Sequence, residues 1–106
     1  MRAVFAGSDH AGLAAALRAE GVDVTTIDGI ATRPALEDAG IVDATLFVLT
    51  DVGQATAIPI ARDLTDELRI VVYSRDSLPD FVSAQEVMAL DPDLLDPETV
   101  ADELVD

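Results

Sequence analysis

Apolar positions in this chain fall into short continuous runs separated by stretches of helical spacing, and the two alternate from one end to the other. Ala3-Val4-Phe5-Ala6 is an unbroken apolar run that stops at Gly7, and from Gly12 to Arg18 small apolar residues recur with Leu13 and Leu17 four apart. The opening therefore reads as strand, tight turn and helix. Gly21 ends that helix as a left-handed cap would, and Asp23-Val24-Thr25-Thr26-Ile27 supplies a second strand that closes at Asp28. Thr32 predicts an N-cap, with Pro34 in the first turn, Leu36 facing inward and Gly40 stopping the helix. Leu46-Phe47-Val48-Leu49 is a continuous apolar strand of the kind a parallel sheet buries on both faces.

Asp51-Val52-Gly53-Gln54 has a capping-box pattern and predicts a helix running to about Leu64. Pro59 lies inside it, and an interior proline costs about 3 kcal/mol, so a bend or a late start is expected there. Arg69–Tyr73 reads as a fourth strand. Ser77 to about Glu86 reads as a helix with Asp80 at its third position, and Val87–Leu90 as a short fifth strand. Asp96-Pro97-Glu98 combines an N-cap with a proline at the first helical position, opening a last helix with Val100 and Leu104 on one face.

Strands alternating with helices predict an α/β fold: a three-layer, Rossmann-like, doubly wound parallel sheet of about five strands in one domain over 1–106. Right-handed crossovers favour the strand order 3-2-1-4-5. Half of the 106 residues are hydrophobic, enough to bury roughly 65% of the surface of the unfolded chain. There is no cysteine, which excludes a disulfide framework, a thiolate metal site and a cysteine nucleophile. No apolar run approaches the roughly 20 residues of a membrane span, and the four apolar residues before Gly7 are too few for a signal peptide. A soluble, cytoplasmic protein without direct membrane insertion is expected.

Charge changes the picture more than length does. The formal charge is -15 and the pI about 4.1, which repels phosphate backbones and anionic lipid and makes nucleic-acid binding an unpromising reading. All six basic residues are Arg, Lys is absent, and most of the 21 acids are Asp. This composition resembles the proteome bias of salt-in halophiles. At molar salt the Debye length is about 3 Å, so carboxylates that repel one another in dilute buffer are screened. From Ser77 onward every charged residue is acidic, so the C-terminal third is expected to loosen first on desalting.

Gly7-Ser8-Asp9-His10-Ala11-Gly12 joins the first strand to the first helix, where a dinucleotide fingerprint G-x-G-x-x-G would stand, and Asp28 follows at the tip of the second strand. The placement suits phosphate: glycine permits a tight turn, a helix N-terminus points free N–H groups outward, and an acid at the second strand's tip can hold ribose hydroxyls. The middle glycine is Asp9. A carboxylate about 5 Å from a phosphate charge costs roughly 3 kcal/mol at an effective dielectric of 20. Asp9 can instead cap the helix, and a helix-capping turn that binds nothing remains the competing reading.

The succession Ala3 to Gly7, then Asp28-Gly29-Ile30-Ala31-Thr32 before a short helix with Leu36-Glu37-Asp38-Ala39-Gly40-Ile41, then Asp43-Ala44 before a strand ending Leu49-Thr50-Asp51, resembles the N-terminal domain of TrkA-type regulators of K⁺ conductance, the RCK domains. So does Arg69-Ile70-Val71-Val72-Tyr73-Ser74-Arg75-Asp76. The resemblance implies a homodimerising, non-catalytic Rossmann module that binds NAD(H) or an adenine nucleotide and acts on a membrane ion-transporter subunit. By position it implies that Gly7, Ser8, Asp9, His10, Ala11 and Gly12 face phosphate. Asp28 would hold the ribose, Thr50 and Asp51 the cleft floor, and Arg75 a phosphate or the partner subunit. The chain departs from the family pattern at Asp9 and at Ile30, where an acid that touches adenine is usual.

Enzyme readings are weaker. His10 is the one histidine, and no nucleophile or acid is spaced to orient it as a general base. Asp9 with Asp28 or Asp51 is a conceivable hard-cation site, but in so acidic a chain neighbouring carboxylates arise by chance, and no metal is expected. The chain also has the look of short halophile sequences that carry a CTP synthetase name. Without lysine it has no P-loop, and without cysteine no glutaminase nucleophile. Two functions remain: a nucleotide-binding regulatory module, or a degenerate Rossmann domain that binds no dinucleotide and acts as a homodimerising or partner-binding protein.

Overall fold

The computed structural model describes residues 1–79 and 86–105. In chain order its regular elements are β1 (Arg2–Ala6), α1 (Leu13–Ala19), β2 (Asp23–Ile27), α2 (Arg33–Asp38), β3 (Leu46–Leu49), α3 (Ala57–Leu64), β4 (Arg69–Tyr73), β5 (Val87–Leu90) and α4 (Pro97–Val105). The helix expected from Ser77 to about Glu86, with Asp80 and Phe81, falls for most of its length outside the described residues. All four strand pairings are parallel, and helices cover both faces of the sheet, as the alternation predicts.

The strand order is 2-1-3-4-5, which corrects the expected 3-2-1-4-5. In that order β3 would be an edge strand and β2 an interior one. Burial runs the other way: all four residues of β3 are buried, whereas Asp23, Thr25 and Thr26 of β2 are exposed. An interior parallel strand loses water from both faces and needs an unbroken apolar run, while an edge strand tolerates polar residues. β3 therefore sits beside β1, and the chain reverses direction across the sheet between these two strands.

Side chains alternating along each strand build two cores. Val4, Phe47, Leu49, Ile70 and Val72 point toward α2 and α3 and pack with Leu36, Ile41, Ile58 and Ala61. Phe5, Leu46, Val48, Val71 and Tyr73 point the other way, against Leu13 and Leu17 of α1 and Val100 and Leu104 of α4. The caps follow local chemistry. Thr32 Oγ1 accepts from the Ala35 amide at 3.2 Å, with Pro34 in the first turn of α2, and Asp96 Oδ1 accepts from the Thr99 amide at 2.8 Å ahead of α4. Asp51 caps only a 3₁₀ turn, Val52–Gln54, and α3 begins at Ala57. Pro59 thus occupies the first turn, where its missing N–H costs nothing. Among the described residues no helix is long and apolar enough to cross a membrane.

Candidate functional site

In a doubly wound sheet, ligands lie beyond the carboxyl ends of the strands where the winding reverses. Here that is the seam between β1 and β3, bounded by the loops after Ala6 and Leu49. The two loops are bound to each other. Thr50 donates its amide to the Ala6 carbonyl at 3.0 Å and its hydroxyl to the Ser8 carbonyl at 2.8 Å. Gly7 has φ +100°, and a Cβ there would lie 2.2 Å from Thr50 Oγ1. Gly7 is thus required by the close approach of Thr50.

The helix N-terminus is occupied as well. Asp9 folds back so that its Oδ1 accepts from the Ala14 amide at 2.9 Å and its Oδ2 from the Ala15 amide at 3.4 Å. Gly12, at φ +87°, is the N-cap residue and supplies no side-chain bond. Nothing lies within 4 Å of a Cβ built at Gly12. Its role is therefore the left-handed turn that lets Asp9 reach forward, rather than close helix–strand packing. First-turn amides carry partial positive charge and bind anions. In this chain the anion is a carboxylate five residues upstream.

The Ser8–Thr50 ridge divides the carboxyl edge into two hollows. One, of about 280 Å³, is lined by Ser8, Asp9, His10, Ala11 and Thr50 together with Tyr73, Ser74, Arg75 and Asp76. The other, of about 510 Å³, is lined by Gly7, Ser8, Ile27, Asp28, Gly29, Thr50, Asp51 and Gln54. Of the residues singled out in sequence, the structure brings Asp9, His10, Ala11 and Arg75 to the first hollow and Gly7, Asp28 and Asp51 to the second. Ser8 and Thr50 border both, and Gly12 borders neither.

Electrostatically the second hollow holds the Asp28 and Asp51 carboxylates and no basic side chain. In the first, Arg75 forms an exposed ion pair with Asp93 at 2.9 Å. Among the described residues no hydrogen bond reaches the His10 ring, and no group of three or more acidic or histidine side chains converges as metal ligands. Gln54, which sequence reading treated only as a capping residue, ties the second hollow together. Its Oε1 accepts from the Ala31 amide at 2.7 Å and its Nε2 donates to Asp51 at 3.3 Å. Asp51 also accepts from the Gly53 amide at 3.0 Å. Both ends of the capping box are thus engaged, although Gln54 reaches the β2–α2 loop instead of the Asp51 amide.

Fold and edge together define a doubly wound α/β domain with the 2-1-3-4-5 strand order, in which the Asp9 side chain is bonded to two first-turn amides of α1. The sequence profile of DUF7126, a family of unknown function, matches residues 3–104, and the chain belongs to that family. Among curated proteins none is significantly similar to it. A Burkholderia pseudomallei protein of known crystal structure, described as pilus assembly-related, is similar at a TM-score of 0.64 and 19% identity. The alignment covers 99% of this chain and 87% of that one, and at this identity the likeness is one of fold.

Proposed function

We propose that this domain is a non-catalytic, partner-binding module, a doubly wound lobe that homodimerises or docks on another protein and holds no dinucleotide at its carboxyl edge. The observation that carries this reading is the Asp9 carboxylate on the Ala14 and Ala15 amides. A phosphate entering there would have to displace a charge-assisted cap, and the neighbouring hollow presents Asp28 and Asp51 with no basic side chain on its lining.

A second reading keeps the RCK resemblance: NAD(H) or an adenine nucleotide bound over Asp28, regulating a K⁺-transporter subunit. The hollow of about 510 Å³ at the strand reversal favours it, and it requires Asp9 to leave α1. Thermal melting in about 2–4 M KCl with NAD, NADH, ATP and AMP separates the two, since a ligand at 100 times its Kd adds about 2.7 kcal/mol. The partner-binding reading predicts no shift with any nucleotide for the wild type. A clear rise with one of them overturns it. Under the second reading, Asp9→Gly strengthens nucleotide binding.

A further inference from the structure

Among the described residues, apolar surface is left uncovered beside β5. α4 shares one core with α1 and with residues of β1, β3 and β4, and of β5 only Leu90 packs against that core, half-buried. Between α4 and β5 runs a groove of about 300 Å³, walled by Met88, Leu90 and Leu95 on one side and Val100, Glu103 and Leu104 on the other. Two of the six exposed large hydrophobic residues of the described chain line it, Met88 at 46% and Leu95 at 37% exposure, and Leu94, at 81%, is the next residue in the turn before Leu95. Met88 belongs to neither core cluster. A methionine at an open groove is adaptable, because its thioether chain reshapes to what it meets.

The groove is held in shape. Tyr73, buried at the end of β4, donates its hydroxyl to the Leu95 carbonyl at 2.6 Å. Asp91 Oδ1 accepts from the Asp93 amide at 2.9 Å, and the Asp91 carbonyl accepts from the Leu94 and Leu95 amides, closing the turn that presents both leucines. The Arg75–Asp93 ion pair pins the same turn to the loop after β4.

Acids outnumber bases on and around the groove. Glu103 lies on the wall, and Glu98 and Asp102 of α4 line the adjoining hollow with Glu20 of α1. Asp91, Asp96 and Glu98 are close enough to Tyr73 to act, after burial itself, in holding its phenol above the ordinary range. The one basic residue on the groove, Arg69, donates to the Leu104 carbonyl at 3.1 Å. A second copy would bring the same acids to the same place, since no basic residue follows Arg75.

We infer that the groove between α4 and β5 is the docking surface for a cationic amphipathic segment of another protein, whose aliphatic side chains enter between Met88 and Leu104 while its Arg or Lys residues meet Glu103, Glu98 and Asp102. This names the surface and partner chemistry for the partner-binding reading and rests on it. Apolar anchors supply the affinity and the rim charges supply orientation and selectivity.

The test uses the full chain and a fluorescein-labelled synthetic peptide of about ten residues alternating Leu and Arg, read by anisotropy in about 1 M KCl to suppress diffuse attraction to the acidic surface. The wild type is expected to bind it, and the matched Ser/Arg peptide at least about tenfold more weakly. Met88→Asp, at a 46% exposed position of the edge strand β5 and checked for an unchanged circular dichroism spectrum, is expected to weaken binding at least about tenfold, and Glu103→Arg about three- to tenfold. Glu37→Arg, the same charge change on α2 across the sheet, is expected to leave binding within about twofold. Equal binding by wild type and Met88→Asp, or equal binding of the Ser/Arg peptide, overturns the assignment. So does a concentration-dependent dimer of the wild type that Met88→Asp dissolves, since a second copy is then the occupant. Nucleotide melting is unaffected by these outcomes, so failure of the groove and failure of the partner-binding reading are read separately.

Discussion

The carboxyl edge and the α4–β5 flank of this domain differ in what each leaves unsatisfied. At the carboxyl edge, polar groups that a ligand would use are already bonded: the α1 amides to Asp9, the Ser8 carbonyl to Thr50, the Ala31 amide to Gln54. At the flank, polar groups are bonded too, but Met88 and Leu95 keep much of their apolar surface in water and Leu94 nearly all of it. The lesson is that a fold's usual ligand position and a particular chain's open interaction surface need not coincide. Hydrogen bonds within the chain occupy the first, and Met88, outside both cores, leaves the second open.

The largest expected effect on this contrast comes from Gly7→Ala. It forces an L side chain into φ +100° and into Thr50, and should cost about 2–4 kcal/mol in chemical denaturation. The cost should shrink in a Thr50→Ala background if the close approach is the cause, a coupling that a double-mutant cycle measures. An equal cost in both backgrounds would show that Thr50 is not the cause.

Asp9→Ala should lower stability by about 1 kcal/mol through loss of the cap, measured by thermal or urea unfolding. Tyr73→Phe should cost a similar amount, about 1 kcal/mol, because the Leu95 carbonyl loses its donor. Tyr73 also carries a pH dependence. Burial first, then Asp96, Glu98 and Asp91, raise its folded-state pKa above 10.0. Its contribution is therefore complete below pH about 10 and is lost as pH rises past that value through the folded pKa, because the unfolded chain ionises first. Phenolate absorbance in the native protein should lag behind that of free tyrosine, and an unshifted curve contradicts the packing described for Tyr73.

The smallest effect is at Asp96, whose carboxylate is held below 3.8 by its side-chain and backbone hydrogen bonds to Thr99. That stabilisation is present above the unfolded value and fades as pH falls below about 3.8 through the folded pKa. Asp96→Ala should thus loosen α4 at neutral pH and be nearly silent in strong acid, seen as helicity in circular dichroism.

How legible these features were depended on how local their cause is. Four of the five strands follow from continuous apolar runs and β2 from β-branched residues between Asp23 and Asp28, and Thr32, Pro59 and Asp96 act through neighbours within a turn, so each is readable in sequence. The strand order was not read correctly, although its signal was present: Leu46–Leu49 is wholly apolar and Asp23–Ile27 is half polar, which marks an interior and an edge strand. Right-handed crossovers are compatible with either order, and the burial contrast is what separates them. At the edge, the glycines were visible but their reasons were not, because Gly7 answers to Thr50, 43 positions away, and only the pairing of β1 with β3 brings them together. Asp9 was readable as a possible cap and as an obstacle to phosphate, and its bonds to two amides favour the first. The groove left no local signal, since it depends on where α4 comes to rest.

The most direct measurement is on the amide resonances of Ala14 and Ala15 in molar KCl, with saturating NADH added to the wild type and to Asp9→Ala. Self-occupation of the α1 N-terminus predicts that both resonances stay in place in the wild type when NADH is added and move in wild type against variant as the carboxylate is removed. A shift of both on adding NADH to the wild type, matching that caused by losing Asp9, would show the nucleotide displacing the cap and contradict the account.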